Sequence, residues 1–474
     1  MLTEDLISLI KHVQSIQSET NTIECKSAAE GCPKRLYDTL SSFSNQNGGG
    51  IILFGINEEN GYSAAGVYDA ADLQKKVTAQ CLQMQPNVRA LFTVCNYDGA
   101  VIVSAEIPEI DIADKPCYYT GKGRITGSYI RVGDSDEPMT EYEIYSYEAF
   151  RNKYQDDIRV IKRANYDELE KDSLLQYIIN LKKKKTRFSH MPDENILRLT
   201  GIKTSNDKLT MSAILTFAQY PQAYFPRLCI TAIAVPGNQL GDVNSDNVRF
   251  IDNVRIDGTI SQMLESAVSF VYRNMSIKTK VDPQSGKRID KEEYPLEAIR
   301  EVILNALVHR DYSIHTEGMP IQLIMYKNRI EVINPGGLYG RIKIDQLGKI
   351  QPDTRNPQLA TILEDVGITE NRYSGIPTIR RVLKNANLPE PVFEEIRGTF
   401  KVTIYKENTN NTNNSLLDFC SIPRSRQEIS DFLGIGQNYY ALNSAIKPLL
   451  ASGDLELTMP EKPRSKKQKY VSTH

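Results

Sequence analysis

Apolar and polar positions alternate between two periods along the first third of the chain. Leu36, Leu40 and Phe43 recur at helical spacing. After them come Gly48, Gly49 and Gly50, and then Ile51 to Phe54 as an unbroken apolar run. Such a run reads as a buried central strand. A phosphate-binding loop has the opposite order: strand, glycines, then the helix N-terminus that holds the anion. The glycines are therefore predicted to end a helix and turn the chain into a strand. Strands are also predicted at Val101 to Ile107 and Ser128 to Val132, with "GDSDEP" after the second as a turn. If Thr22 to Lys26 is a strand, Glu24 and Lys26 share one face and Ile23 and Cys25 take the other.

Beyond Asn152 the pattern is charged and helical to about Asn206, including Lys182 to Lys185, read as a solvated helix face. A mixed unit follows, with a strand in "RLCITAIAV" and an amphipathic helix in "TISQMLESAVSFVYRNM". "SIKTKVDPQSGKRIDKEEYP" is polar and predicts a hairpin or linker. Another α/β unit runs to about Lys406. It is followed by the Asn-rich "ENTNNTNNS", which has no means to bury a core. The predicted organisation is an N-terminal domain at 1–150, a connecting unit at 151–285, an α/β domain at 286–406, a linker at 407–414 and a small module at 415–474. The fold class is α/β (α+β), multi-domain.

Composition narrows the partners. The 474 residues hold 57 Lys and Arg against 59 Asp and Glu, for a net charge of −2, which excludes a strongly basic coat but not a local basic patch. The 7 cysteines are scattered and odd in number, which fits reduced thiols better than disulfides or a zinc site. "MLTEDLISLIKHV" starts an acidic amphipathic helix rather than a signal peptide. No apolar run is long enough to span a membrane. A cytoplasmic protein without a membrane partner is expected.

Three constellations carry candidate chemistry. In "SETNTIECKSA", Glu19, Glu24 and Lys26 lie close together. A Glu-x-Lys strand is a pairing used by metal-dependent nucleases: carboxylates hold Mg²⁺ or Mn²⁺, and the lysine orients water or neutralises charge at phosphorus. "GINEENG" places Asn57, Glu58 and Glu59 at the end of the next strand. An ordinary surface ion pair explains the same spacing. In "YPLEAIREVILNALVHRDYS", Glu301, Asn305 and His309 share one helix face, and Ile299, Val302, Ile303, Ala306 and Leu307 form the buried side. As a nucleotide site, Asn305 would ligate Mg²⁺ and Glu301 would orient water toward the γ-phosphate. A satisfied polar stripe is the bland alternative. The C-terminal module has the order helix, turn, helix, hairpin. Leu442, Ile446, Leu449 and Leu450 face a core, while Gln437, Asn438, Tyr440, Asn443 and Lys447 face out, a mix suited to base edges and phosphates. The hairpin carries Arg464, Lys466, Lys467 and Lys469 for phosphate contact.

The stretch "ECKSA…LSSFSNQNGGGIILFGINEENGYSAAGV" is similar to the Schlafen-type, AlbA-like domain, from about Glu19 to Arg131. The resemblance implies an acidic site at Glu19 and Glu24, with the third member at Asn57 or Glu58. Asn57 in that place would break the triad, since an amide brings no charge. "NALVHRDYS", "NPGGL" and "RNP" resemble the divergent ATP-binding domain of helicase-related bacterial proteins, distantly similar to the ATPase fold of histidine kinases, gyrase and Hsp90. That resemblance covers about Tyr294 to Tyr405. It implies ATP with Mg²⁺ at Asn305, phosphate contacts from His309 and Arg310, and a base-reading position at Asn334, where the related pattern has Asp. Gly336 and Gly337 follow it, and the glycine-rich lid is reduced to Ser374-Gly375. The chain lacks a Gly-x-x-x-x-Gly-Lys-Ser/Thr loop, so helicase activity is not expected. The C-terminal module resembles a winged helix.

Together these readings predict a bacterial nucleic-acid-binding regulator, DNA favoured over RNA, with a nucleotide as second partner. The alternatives are a metal-dependent nuclease in phage defence, with Glu19, Glu24 and Glu58 as ligands, and a ligand-free scaffold. Association into a homo-oligomer is left open.

Overall fold

A computed structural model describes residues 1–281, 288–369, 374–406, 416, 417, 419–433, 439–460, 462, 465 and 468–473. The chain is a mixed α/β, multi-domain protein with two compact units, Met1–Tyr154 and Gln155–His474.

The first unit is built on a four-stranded sheet in the order Ile23–Lys26, Gly50–Phe54, Ala100–Ile107, Leu91–Tyr97. The first pair is parallel and the others are antiparallel. Period-two alternation sends its side chains to two cores. Ile23, Cys25 and Leu53 pack with Leu6, Ile10 and Val13 of the Thr3–Ile16 helix. Ile52 and Phe54 pack with Leu36, Leu40, Phe43, Leu73 and Val77 on the other face. Fully burying each of these side chains contributes about 2 kcal/mol.

The Tyr37–Asn45 helix ends where the glycines begin, and Gly50 opens the central strand, as the spacing predicts. Gly48 and Gly49 both have positive φ (79° and 72°). A Cβ on Gly49 would collide with the Ile107 carbonyl oxygen, so the chain passes too close to the neighbouring strand for any side chain.

The polar side of the same helix docks a hairpin. Ser41 donates to the Cys117 carbonyl (2.6 Å) and accepts from the Tyr129 N–H (2.8 Å). Asn45 donates to the carbonyls of Cys117 (2.9 Å) and Tyr129 (3.1 Å) and accepts from the Cys117 N–H (2.7 Å). "GDSDEP" is more than the expected turn. Ser135–Pro138 is a strand paired with Tyr129–Val132. Its polar composition hid it, because its inward residue is an aspartate, Asp136, held by hydrogen bonds rather than by apolar burial.

The second unit contains a six-stranded sheet in the order Asp252–Ile256, Ile230–Ala234, Ile321–Met325, Arg329–Pro335, Thr399–Tyr405, Val392–Ile396. Only Ile230–Ala234 and Ile321–Met325 run parallel. Ala232, Leu323, Val332 and Val402 stand side by side across it and enter one core. Helix Leu296–His309 packs against both Ile260–Asn274 and Gly375–Asn385, and all three contribute to that core. Helices Lys171–Lys184, Asp193–Leu199 and Met211–Phe217 feed the same core. The segment expected to be a hairpin or linker is a hairpin, Ile277–Val281 against Arg288–Glu292. Among the described residues no helix is long and apolar enough to cross a membrane.

The C-terminal segment has helices Arg426–Leu433 and Tyr439–Ser452 and a three-stranded sheet, Arg424–Ser425, Lys469–Ser472, Leu455–Leu457. Leu442, Ile446 and Leu449 enter its core with Leu416, Cys420, Ile429, Leu455 and Tyr470. The expected linker at 407–414 and the turn at Gly434 to Gly436 lie outside the described residues.

Candidate nucleotide cavity and N-terminal carboxylate cluster

The Ile23–Lys26 strand puts Glu24 opposite Ile52 and Lys26 opposite Phe54, on the face away from the Thr3–Ile16 helix. Glu24 is buried. One of its oxygens pairs with Lys26 and the other lies 2.8 Å from Arg131 Nη2. Arg131 is engaged through both terminal nitrogens. Its Nη1 bonds Asp136 Oδ1 (2.9 Å), its Nη2 lies 3.8 Å from Glu19 Oε2, and its guanidinium sits over the Phe43 ring at 5.2 Å. Asp136 in turn accepts from Thr39 (2.6 Å) and Ser42 (2.5 Å) on the Tyr37–Asn45 helix. Glu19 accepts from the Cys25 N–H (2.7 Å). Burial pushes its carboxyl up to about 7, the Cys25 N–H pulling back, with Glu24 and Glu58 adding repulsion and Lys26 opposing it.

The spacing brings Glu19, Glu24 and Lys26 together. Glu58 adds a smaller repulsion to Glu19 than Glu24 does; it is exposed and accepts from Tyr62 (3.3 Å). Asn57 instead turns its amide oxygen to the Glu59 N–H (3.1 Å). These residues do not fit a metal ion. Both Glu24 oxygens face cations, Glu58 is engaged by Tyr62, and no group of three His, Cys, Asp or Glu among the described residues is placed to hold one. Glu24, expected as a ligand of Mn²⁺ or Mg²⁺ with Glu19, stands in a buried ion-pair cluster with Lys26 and Arg131. Sequence reading missed Arg131 and Asp136. The available signal was the period of "YIRV", which puts Arg131 on the same face as buried Tyr129.

The second site is a cavity of about 1050 Å³, counting its open mouth. Asn305, His309, Asn334, Gly336, Gly337 and Gly375 all line it. The Leu296–His309 helix presents Asn305 and His309, and the strand ending at Pro335 presents Asn334. The Asn305 amide nitrogen donates to the Glu301 carbonyl (2.7 Å). Glu301 stands beside it at the start of the Gly375–Asn385 helix, its Oε2 3.0 Å from where a Gly375 Cβ would lie. Burial, with the Arg355 charge second, pushes His309 down to about 4, so the imidazole is neutral near neutral pH. Asn334 is buried, and its Oδ1 has no hydrogen-bond partner among the described residues. Such an acceptor is costly unless something enters to donate to it.

Arg310 does not enter the cavity. It is buried elsewhere, donating to the carbonyls of Thr316 (2.7 Å) and Met319 and lying 5.8 Å from the Tyr312 ring. The "RNP" motif is the support of the site. Asn356 donates to the carbonyls of Val308 and Arg310 (2.8 Å each), capping the helix that carries Asn305. Pro357 starts the next helix. Arg355 bonds the Gly337 carbonyl (3.0 Å) and pairs with Asp311 (3.0 Å), fixing the glycine turn. Gly336 has φ 106°, and a Cβ there would sit 2.7 Å from Asp311 Cβ.

At the C-terminus, Lys447 and Lys469 are exposed. Gln437, Asn438, Arg464, Lys466 and Lys467, and the side chains of Tyr440 and Asn443, lie outside the described residues.

Comparison with known proteins follows these two sites. Residues 19–140 match the family described as Schlafen, AlbA_2. Residues 318–404 match the family described as putative ATP-dependent DNA helicase recG C-terminal. The chain thus carries a Schlafen-type AlbA-like domain and a helicase-related, ATPase-like domain. A solved structure of the DIP2311 protein from Corynebacterium diphtheriae is similar over 94% of this chain and 93% of its own, at 16% identity and a TM-score of 0.41. The N-terminal domain of a putative ATP-dependent DNA helicase RecG-related protein from Nitrosomonas europaea is similar over 28% of this chain and 92% of its own, at 24% identity and a TM-score of 0.24. Among curated proteins, none matches the chain.

Proposed function

We propose that this protein is a nucleic-acid-binding regulator with a divergent nucleotide site in its helicase-related domain. The domain pair supports the association with nucleic acid. The observation that carries the nucleotide reading is Asn334, which lines a largely apolar cavity and whose buried Oδ1 has no hydrogen-bond partner among the described residues. Such cavities with a few placed polar groups are the usual form of a small-ligand site. The acceptor would take a hydrogen bond from a base amino group. Mg²⁺ accompanying ATP would be held by the Asn305 oxygen, where it would neutralise phosphate charge. The proposed division of labour places the nucleotide at 286–406 and the DNA reader in a winged helix at 415–474. The nuclease alternative is not favoured, because Glu24 is committed to Lys26 and Arg131.

The test is a calorimetric titration of the intact chain with ATP and Mg²⁺. Wild-type protein is expected to bind at millimolar ligand. Asn334→Leu should lose binding by at least about tenfold, with an unchanged circular dichroism spectrum, because the Asn334 acceptor is gone. Wild-type protein that takes up no ATP at that concentration overturns the nucleotide reading.

A further inference from the structure

Asp157 stands just past Tyr154, where the first unit ends, and its side chain is fully buried. Its Oδ2 accepts from the N–H groups of Gln358 (2.8 Å) and Leu359 (3.0 Å), in the first turn of the Pro357–Val366 helix. Asn356, the N-cap residue of that helix, makes no side-chain cap bond there. Its amide is turned back to the carbonyls of Val308 and Arg310 (2.8 Å each). A carboxylate 201 positions away in sequence therefore caps the helix instead.

These bonds make one continuous path. Asp157 holds the helix start, and Asn356 just before that start holds the end of the Leu296–His309 helix. His309, between Val308 and Arg310, lines the cavity, as does Asn305 on the same helix. The segment that carries Asp157 is fastened at further points. Ser212 donates to the Asp157 carbonyl (2.7 Å), and the Met211 N–H donates to the Arg159 carbonyl (2.9 Å). Arg159 pairs with Glu317 and donates to the Tyr312 carbonyl (3.4 Å), in the loop that follows the cavity helix.

The cap is an expensive one. Asp157 Oδ1 is buried and has no hydrogen-bond partner among the described residues. Burial pushes the carboxyl above its ordinary value, and the Leu359 and Gln358 N–H groups pull it back. A buried carboxylate with one oxygen unsatisfied carries a desolvation cost that a surface cap does not. Both bonds go to one helix start, so a shift of that start loses them together and returns the carboxylate to water. The cap thus has two discrete arrangements, which is what an element needs in order to carry coupling.

We propose that Asp157 is a latch between the nucleotide cavity and the chain that enters this unit. Ligand in the cavity fixes the wall bearing Asn305 and His309, the fixed wall closes the cap, and the closed cap holds the segment leaving the first unit. This rests on the nucleotide reading above. Asp157 is a positioning residue, since it touches Gln358 and Leu359 rather than the ligand. Coupling is reciprocal, so whatever pulls the segment open weakens ligand binding by the same factor.

The experiment is hydrogen exchange of the intact chain with and without millimolar ATP and Mg²⁺, beside calorimetry of wild type, Asp157→Ala and Asp157→Asn. In wild type, ATP should slow exchange by about tenfold at the Gln358 and Leu359 amides and across 155–161. Asp157→Ala should bind ATP about tenfold more weakly and show no slowing at 155–161 even when loaded. Asp157→Asn keeps an oxygen that accepts from the helix N–H groups, and should bind within about threefold of wild type. A cap that served stability alone would lower the unfolding midpoint of Asp157→Ala and leave the ATP affinity of the folded chain unchanged. That result overturns the latch. ATP that binds wild type without slowing Gln358 and Leu359 also overturns it, while the nucleotide reading stands, and this readout needs no variant to fold. If wild type takes up no ATP, the nucleotide reading itself has failed and the latch goes with it.

Discussion

Glu19 and His309 are both moved from their ordinary pKa by burial, and they move in opposite directions. Glu19 goes from 4.5 up to about 7, and His309 from 6.5 down to about 4. Between pH 4.5 and 7 the folded chain holds a proton on Glu19 that the unfolded chain has released. This contribution is fully present below 4.5 and is lost as pH rises through 7. For His309 the unfolded chain binds the extra proton, so its contribution is present above 6.5 and is lost as pH falls through 4. The two slopes overlap, and wild-type stability alone will not separate them. The stability of Glu19→Gln relative to wild type is therefore expected to rise as pH goes from 4.5 to 7, measured by denaturant unfolding at several pH values. His309→Gln should lose the decline that its parent shows between 6.5 and 4. A Glu19→Gln difference that stays flat across the window would mean that the carboxyl titrates as an ordinary surface group.

At the scale of elements, local pattern was most legible where one period controls burial. Alternation alone separated Glu24 and Lys26 from Ile23 and Cys25, and the strand places them so. The helix–glycine–strand order likewise needed only the spacing of Leu36, Leu40 and Phe43. Arg131 was not legible as Glu24's partner, because they are far apart in sequence and meet only when the Tyr129–Pro138 hairpin docks on Ser41, Asn45 and Asp136's partners. The same reason hid the supporting role of Arg355 and Asn356: capping a helix that ended at His309 is a tertiary fact. Arg310, a phosphate contact by resemblance only, is buried and is not among the residues that line the cavity.

The glycine turn offers a test of this element's geometry. Gly48 and Gly49 both have positive φ, but a Cβ on Gly48 meets nothing within 4 Å, whereas one on Gly49 meets the backbone of Ile107, Pro108 and Glu109. Gly48→Ala should cost about 1 kcal/mol from the left-handed backbone alone. Gly49→Ala should cost about 3 kcal/mol or more, since backbone must also move. Equal losses for the two variants in chemical denaturation would show that the close approach to the Ala100–Ile107 strand is not what selects glycine.

At the scale of the whole molecule, the chain has near-zero net charge, so any affinity for duplex DNA must come from a local concentration of basic residues. Besides the run Lys182 to Lys185, the C-terminal module carries such a group: Arg464, Lys466, Lys467 and Lys469 lie within six consecutive residues, and Lys469 is exposed on the strand that pairs with Leu455–Leu457. The module has its own apolar core of Leu416, Cys420, Ile429, Leu442, Ile446, Leu449, Leu455 and Tyr470, so removing it takes that core away intact. Each phosphate neutralised by Lys or Arg releases condensed counterions, and log affinity falls with log salt by about 0.9 per contact. Truncation after Glu407 should therefore weaken duplex binding and flatten the salt slope by up to about 3.6, if all four basic groups touch phosphate. Substituting the four basic residues in the full chain should flatten it equally while leaving the module folded, and should act alike on every duplex sequence. Asn438→Ala should behave differently, costing about 1–3 kcal/mol on a duplex selected from a random pool and little on random DNA. If truncation after Glu407 leaves both duplex affinity and its salt slope unchanged, the C-terminal module is not the reader, and its helices are better understood as a surface for another protein.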